Sequence, residues 1–482
     1  MTRPNIVIIY MDDLGYGDVG AYGASAVDTP HIDRLAARGL RFTDGYATSA
    51  TCTPSRYALL TGEYPWRKSG AEILTGDAAM IIEEDQMTLP SMLAACGYRT
   101  GIVGKWHLGL GDGGVNWNRP IRPCPLDVGF GESYIIAATQ DRVPTVYIED
   151  RSVVGLDPED PIEVSYEHPF PGEPVAAEHP EMLRLASSHG HDNAIVNGIG
   201  RIGYMRGGQS ARWTDEDMAE RLVERAKDFV RRSQESGEDR KPFFLYLALH
   251  QPHVPRTPSA RFVGATDMGP RGDAIAEADW CVGEILDELE AAGVLDDTLI
   301  VFSSDNGPVL DDGYQDDAVE RVGDHRPTGP LRGGKYSLFD AGTRVPFIVH
   351  WPARVTPGTS SALVCQMDLL ASIAALVGAD VPTADSENHL AALLGETEIG
   401  RESLVVEAVH RTAFRRGEWA MIPPHTGPER LPAKDIETGN ADRHRLYNLR
   451  EDPHQDHDLA SAHPDTLRCL VDEFARIREV PT

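Results

Sequence analysis

Two pairs of oxygen-bearing side chains stand directly after apolar runs. Asp12 and Asp13 follow Asn5 to Met11, and Asp305 with Asn306 follows the run that begins at Leu299. Carboxylates joined by a carboxamide oxygen, with no soft ligand among them, suit a hard cation such as calcium or magnesium. Adjacent aspartates alone usually cap a strand or a turn, but two such groups at two strand ends can meet around one ion. Nitrogen-bearing side chains follow the same logic: Lys105 and His107 come after the short run Thr100 to Val103, and His250 and His253 after Phe243 to Leu249. A separate string, Cys52-Thr53-Pro54-Ser55-Arg56 with Leu60-Thr61-Gly62 behind it, places a thiol next to a proline and a guanidinium.

The elements that must position these groups read as alternating strands and helices. Asn5 to Tyr10 is a compact strand, Thr29-Pro30 opens a helix closed by Gly39, and Leu89 to Ala95 is a second helix before the strand around Thr100 to Val103. Asp215 to Ser233 carries an apolar stripe of Met218, Leu222, Val223, Ala226, Phe229 and Val230 at helical spacing. Further helices are expected over Trp280 to Leu289 and Cys365 to Val377, and further strands at Pro242 to His250, from Leu299, and from Arg344. This order predicts an α/β fold with a mostly parallel central sheet flanked by helices. In such sheets ligands bind beyond the strand C-termini, so residues distant in sequence can share one site. The stretch Gly111 to Pro180 shows no clear periodicity and is expected to form surface insertions. Leu404 to Val409, Phe414 to Ile422 and His444 to Leu449 read as short strands, and Leu467 to Ile477 as a closing helix. Residues 1–378 are therefore expected to form the main domain, and 379–482 a linker with a smaller α+β domain containing an antiparallel sheet.

With 482 residues, a core-forming composition and a formal charge of −30, the chain is read as a soluble globular protein with neither nucleic acid nor membrane as a partner. No run approaches the roughly 20 apolar residues of a membrane span. The first apolar run ends in two aspartates, so it is read as a strand and not as an export signal, and a cytoplasmic location is expected. The six cysteines are spread without close pairs, which suggests neither a disulfide framework nor a zinc cluster.

The string from Cys52 to Arg56 with its downstream Thr61-Gly62 resembles the active-site signature of the type I, formylglycine-dependent sulfatases, of the alkaline-phosphatase-like superfamily. The later segments Gly104-Lys105-Trp106-His107-Leu108-Gly109, His250-Gln251-Pro252-His253 and Gly333-Gly334-Lys335 resemble further family signatures in the expected order. The resemblance implies that a separate formylglycine-generating enzyme converts Cys52 to formylglycine, whose hydrate offers one hydroxyl to attack sulfur and a second whose deprotonation expels sulfate. It also implies one calcium ion, with magnesium the less favoured alternative, held by Asp12, Asp13, Asp305, Asn306 and an oxygen of the modified Cys52. In the same reading Arg56 holds the diol, Lys105 and Lys335 bind sulfate oxygens, His253 is the general acid and His107 the base.

The resemblance covers roughly Asn5 to Pro352 and, more loosely, the tail. One departure is Phe339-Asp340-Ala341-Gly342, where relatives commonly carry a glutamate-glycine-glycine version; this is expected to affect the pocket wall. Asp141, Arg142, His189, His191, Asp192 and His250 are candidates for substrate binding and equally for satisfying their own loops. The expected substrate is a small or oligomeric sulfated carbohydrate. Two alternatives stay open: a phosphodiester or phosphonate monoester hydrolase on the same scaffold, and a noncatalytic calcium-stabilised binding protein.

Overall fold

The computed structural model describes residues 3–235, 241–382 and 385–479. Its centre is the Asn5–Met11 strand, buried at all seven positions. It lies between Phe243–Ala248 on one side and Thr298–Ser304 on the other, parallel to both. A strand paired on both edges and covered on both faces needs the unbroken apolar run this segment supplies. The full sheet has ten strands, in the order Gly358–Ser360, Leu40–Phe42, Phe347–His350, Thr298–Ser304, Asn5–Met11, Phe243–Ala248, Arg99–Lys105, Glu132–Ile136, Tyr147–Glu149 and Ser152–Val153. The five from Thr298–Ser304 to Glu132–Ile136 are mutually parallel, and antiparallel pairings follow on both flanks.

Alternate residues of the central strands feed two cores. Ile6, Ile8, Ile102, Tyr246 and Val301 pack against the helices Cys52–Thr61, Leu89–Ala95 and Leu369–Val377. Val7, Ile9, Leu245, Ile300 and Phe302 pack on the opposite face against Pro30–Ala37, Met218–Gln234 and Pro270–Ala291. This is the α/β layering expected from the sequence, with the period-two alternation of a strand choosing the face.

Three expectations change. The helix anticipated over Trp280 to Leu289 begins ten residues earlier, at Pro270. Its first half reads as polar, yet those groups are buried in pairs: Arg271 with Asp18, Glu277 with Gln251 and the Ser259 amide, and Asp279 with the amides of His31 and Ile32. The segment Cys365 to Val377 is not one helix; Val364–Cys365 pairs with Gly45–Tyr46, and the helix starts at Leu369. The stretch Gly111 to Pro180 is not all surface insertion, because it contributes three strands to the edge of the main sheet.

Near the C-terminus, Ser403–Ala408, Arg411–Arg416, Trp419–Ile422 and Arg445–Asn448 form an antiparallel sheet backed by the helix Pro464–Glu479. It shares a core with Tyr46, Ala50, Ala58, Tyr64, Leu338 and Phe339 of the main body. Backbone bonds from Ala50 N to Glu407 O (2.7 Å) and from Glu407 N to Thr48 O (2.9 Å) join this sheet to the segment entering Cys52. Among the described residues no helix is long and apolar enough to cross a membrane, and all six cysteines are free.

Candidate active site

Four neighbouring parallel strands end along one edge of the sheet, and their first residues beyond the ladder converge there. Asp12 and Asp13 leave Asn5–Met11, Asp305 and Asn306 leave Thr298–Ser304, Lys105 ends Arg99–Lys105, and the His250–His253 turn follows Phe243–Ala248. Asp13 and His107 both take positive φ, 63° and 54°, which turns the chain sharply so that neighbouring side chains point to different partners.

Cys52 is the first residue of a ten-residue helix and is almost fully buried. That helix start is fixed on three sides. Ser55 Oγ donates to Ser49 O at 2.8 Å, Thr53 Oγ1 donates to His107 O at 2.8 Å, and Tyr336 N donates to Ala50 O at 2.9 Å. Burial pushes the Cys52 thiol above its ordinary range, against the pull of Lys105 and Lys335. The unmodified side chain is therefore a protonated thiol and a poor nucleophile.

Around it lies an alternation of buried charges. Lys105 Nζ sits 2.8 Å from both oxygens of Asp12. Arg56 donates to Asp305 Oδ2 through Nε (3.1 Å) and Nη2 (2.7 Å), with Tyr10 stacked below its guanidinium at 5.3 Å. Lys335 Nζ lies 2.8 Å from Asp13 Oδ2 and 2.8 Å from Asp312 Oδ2. Desolvation raises the Asp12 carboxyl well above its usual range, opposed by Lys105, while Asp13 and Asp312 hold the Lys335 ammonium well above its own. Such a cluster persists only because each buried charge has a partner.

Asn306 Nδ2 donates to Asp13 Oδ1 (2.7 Å) and to Gly307 O, leaving its buried Oδ1 without a partner among the described residues. A carboxamide oxygen orphaned beside three carboxylates is the donor a hard cation takes, and Asp12, Asp13, Asp305 and Asn306 fit one. Asp12 and Asp13 also share a compact group with His253, their ligand atoms lying within 4.8 Å of one another. An all-oxygen set suits a hard cation better than a set containing imidazole, and such a cation would give Asn306 Oδ1 a partner.

The two histidines have defined tautomers when neutral. His107 Nε2 is 2.9 Å from Leu74 O, which can only accept, so Nδ1 carries the lone pair; that buried Nδ1 has no partner among the described residues. Burial, with Lys105 and Arg142, drives His107 well below its ordinary pKa. His253 Nδ1 donates to Val254 O at 2.7 Å, which leaves Nε2 facing Asp13 Oδ2 at 3.8 Å. Burial and then Lys335 push His253 well down too, so both rings are neutral in the free protein.

Asp141, Arg142 and His191 are brought to this pocket. Arg142 Nη1 donates to Thr139 Oγ1 (2.6 Å) and Asp141 Oδ1 (3.1 Å), and His191 Nε2 meets Asp141 Oδ2 at 2.7 Å. Arg201 Nη1 fixes their loop through Gln140 O at 2.7 Å, while its Nη2 is held by the buried carboxylate of Asp215. His189 stands at the rim, 30% exposed, with Nε2 3.2 Å from Lys434 Nζ. Asp192 does not join them, and His250, though in the converging turn, bonds to none of them. Asp192 is exposed and contributes a backbone carbonyl to Ala177 N, because its loop turns the side chain to solvent. His250 is buried with Nδ1 unpartnered and no side-chain hydrogen bond among the described residues, and burial pushes it down to about 3. Asp312, Tyr336 and Lys434 were not foreseen. Asp312 lies only seven residues beyond Asp305, and Lys434 reaches the pocket from the tail, so no local pattern announced either.

A family model described as Sulfatase matches residues 4–379. An N-acetylgalactosamine-6-O-sulfatase of Bacteroides thetaiotaomicron is 48% identical over 482 residues, covering 99% of this chain and 93% of the relative. Human arylsulfatase A is 31% identical over 490 residues, covering 97% and 86% respectively. A solved Bacteroides thetaiotaomicron structure, from work on the metabolism of multiple glycosaminoglycans, superposes with a TM-score of 0.97 at 46% identity and covers all of both chains. The strand-end site thus sits in a hydrolase fold shared along the whole chain. The chain belongs to the sulfatase family and is a sulfuric ester hydrolase.

Proposed function

We propose that the protein hydrolyses the sulfate ester of a carbohydrate through a formylglycine made from Cys52, with calcium bound beside it. The observation that carries the reading is the arrangement at the Cys52 helix start, where the thiol feels the fields of both Lys105 and Lys335 and stands beside an acidic group with an orphaned Asn306 oxygen. The 48%-identical relative makes N-acetylgalactosamine 6-sulfate the first sugar to test.

Asp12, Asp13, Asp305 and Asn306 would hold the cation, which supplies Lewis-acid polarisation of a sulfate oxygen. The chain's own groups do the remainder. Lys105 and Lys335 present ammonium hydrogens to charge on the transferring sulfuryl group, in a pocket dry enough to strengthen those contacts. Arg56, locked on Asp305, offsets the carboxylates so that an anionic ester can enter. His107 has a bare, buried Nδ1 and a depressed pKa, the state required to accept a proton. His253 is neutral before substrate binds; an anionic ester against Nε2 favours its protonated form, from which it can donate to the leaving alcohol.

The test is the mass of the tryptic peptide 42–56 from protein made with and without a formylglycine-generating enzyme, with hydrolysis of N-acetylgalactosamine 6-sulfate, an aryl sulfate and an aryl phosphodiester followed in parallel. Conversion of Cys52 that tracks sulfate release is expected. Full activity with an unmodified thiol would overturn the nucleophile, and faster phosphodiester turnover would overturn the reaction class.

A further inference from the structure

Lys335 is gripped from a part of the chain a hundred residues away. A short hairpin pairs Arg430–Leu431 with Ile436–Glu437, and its turn carries Lys434. The hairpin binds both flanks of Lys335. Arg332 pairs with Glu437 through Nε (2.8 Å) and Nη2 (2.7 Å), Ser337 Oγ donates to Glu437 O, and Leu338 N donates to Thr438 O at 3.0 Å. At Gly334, with φ of 152°, a Cβ would stand 3.1 Å from Ile436 Cδ1, so the hairpin side chain lies directly against the backbone that presents Lys335.

From the hairpin turn, Lys434 Nζ donates to Asp312 Oδ1, and the other oxygen of that carboxylate takes Lys335 at 2.8 Å. Tyr336 closes the group: its hydroxyl donates to Asp312 (3.1 Å), and its ring has Lys335 Nζ at 5.4 Å and Lys434 Nζ at 5.0 Å from its centroid. Both oxygens of Asp312 are thus fully engaged, and the carboxylate is buried. Lys335 and then Lys434 hold it well below the usual carboxylate range, against the cost of burial. An ionised carboxylate with a single cation would draw Lys335 toward itself and cancel its field. A second ammonium on the far side balances that pull and keeps positive potential at the reaction centre.

We propose that Lys434 is a positioning residue for sulfuryl transfer, acting through Asp312 to fix the ammonium of Lys335, so that the C-terminal segment completes the active site. This rests on the reading of Lys335 as a sulfate-binding group. In this role Lys434 acts on the transferring group, its other polar contact being His189 Nε2 at the rim (3.2 Å), so its removal affects every sulfate ester alike and affects turnover more than binding.

The experiment uses the full-length, formylglycine-containing enzyme and its K434M, K434R, D312N and K434M/D312N forms, with N-acetylgalactosamine 6-sulfate and 4-nitrophenyl sulfate as substrates and thermal melting as a fold control. K434M is expected to lose about tenfold in kcat on both substrates, the scale of one preorganised electrostatic contact acting indirectly, with KM changed less than about twofold. K434R should recover most of the loss, and the double variant should be no worse than D312N, because the two residues act in series. A K434M form that melts early leaves the K434R and double-variant comparisons as the deciding measurements. An effect confined to KM for the sugar, an additive double variant, or an unchanged kcat would each overturn the proposal. Absence of turnover by the wild-type enzyme on both substrates would instead remove the reading of the site on which it rests.

Discussion

The two halves of the active site are built differently. One half stands at the ends of four adjacent parallel strands: Asp12, Asp13, Lys105, His253, Asp305 and Asn306 are each within five residues of a buried strand. The other half arrives on loops and tail segments: Asp141 and Arg142, His191, Asp312, Tyr336 and Lys434. The first half is held by the sheet's own ladder, so its geometry follows from strand order. The second is held by side-chain pairing, such as Arg201 with Gln140 and Asp215, and Arg332 with Glu437. Rigid strand ends suit groups that act on the common sulfuryl centre; of the loop-borne groups, Asp141, Arg142 and His191 suit contacts that differ with the substrate, whereas Asp312, Tyr336 and Lys434 reach that centre through Lys335.

Substitutions should separate the halves by size of effect. Cys52→Ala is expected to abolish turnover in mature protein without loss of fold, since the proposed nucleophile is removed while the helix start keeps its backbone bonds; residual activity above background would break the assignment. Lys105→Ala should lower kcat by about a hundred- to a thousandfold on aryl and sugar sulfates alike, as for loss of a preorganised donor. Asn306→Ala takes away the orphaned oxygen, so the calcium-dependent rise in melting temperature should shrink or vanish; an unchanged rise would move the cation to the group of Asp12, Asp13 and His253.

On the loop side, Arg201→Met should unfasten the Asp141–Arg142 loop and raise KM for the sugar more than for a small aryl sulfate, by about tenfold. Equal effects on both substrates would place that loop with the sulfuryl machinery. The smallest effect concerns Glu407, whose backbone holds the segment entering Cys52 and whose buried Oε2 has no partner among the described residues. Burial raises this carboxyl to about 7. The unfolded chain releases the proton first, so stability falls as pH climbs from the ordinary glutamate value near 4.5 through 7. Glu407→Gln should therefore raise the melting temperature at pH 8 and leave it little changed at pH 4.5. A gain at both pH values would show that the charge is not the cause.

Much of this division is visible in the chain itself. Apolar runs that stop at Asp12, Lys105, His250 and Asp305 disclose both the buried strands and the polar groups at their ends, because a strand covered on two faces must be apolar until it leaves the sheet. The strand of Glu132–Ile136 was hidden among irregular sequence, since only its place beside Arg99–Lys105 makes it part of the sheet. The start of the Pro270–Ala291 helix was obscured by Arg271, Asp273, Glu277 and Asp279, which look like surface residues until their buried partners are known. Asp192 and His250 show the reverse limit: their residue types suit a binding site, but only the turn of the backbone decides which way a side chain faces.

By itself the sequence determined the alternation of strands and helices, the cysteine string and the ligand types, because each depends on residues close together in the chain. Tertiary structure alone decided which polar atoms, Asn306 Oδ1 and His107 Nδ1 among them, lack partners among the described residues, and that Lys434 stands against Asp312. Those facts depend on where each polar group's partner lies, and in this protein that partner is often a hundred or more residues away.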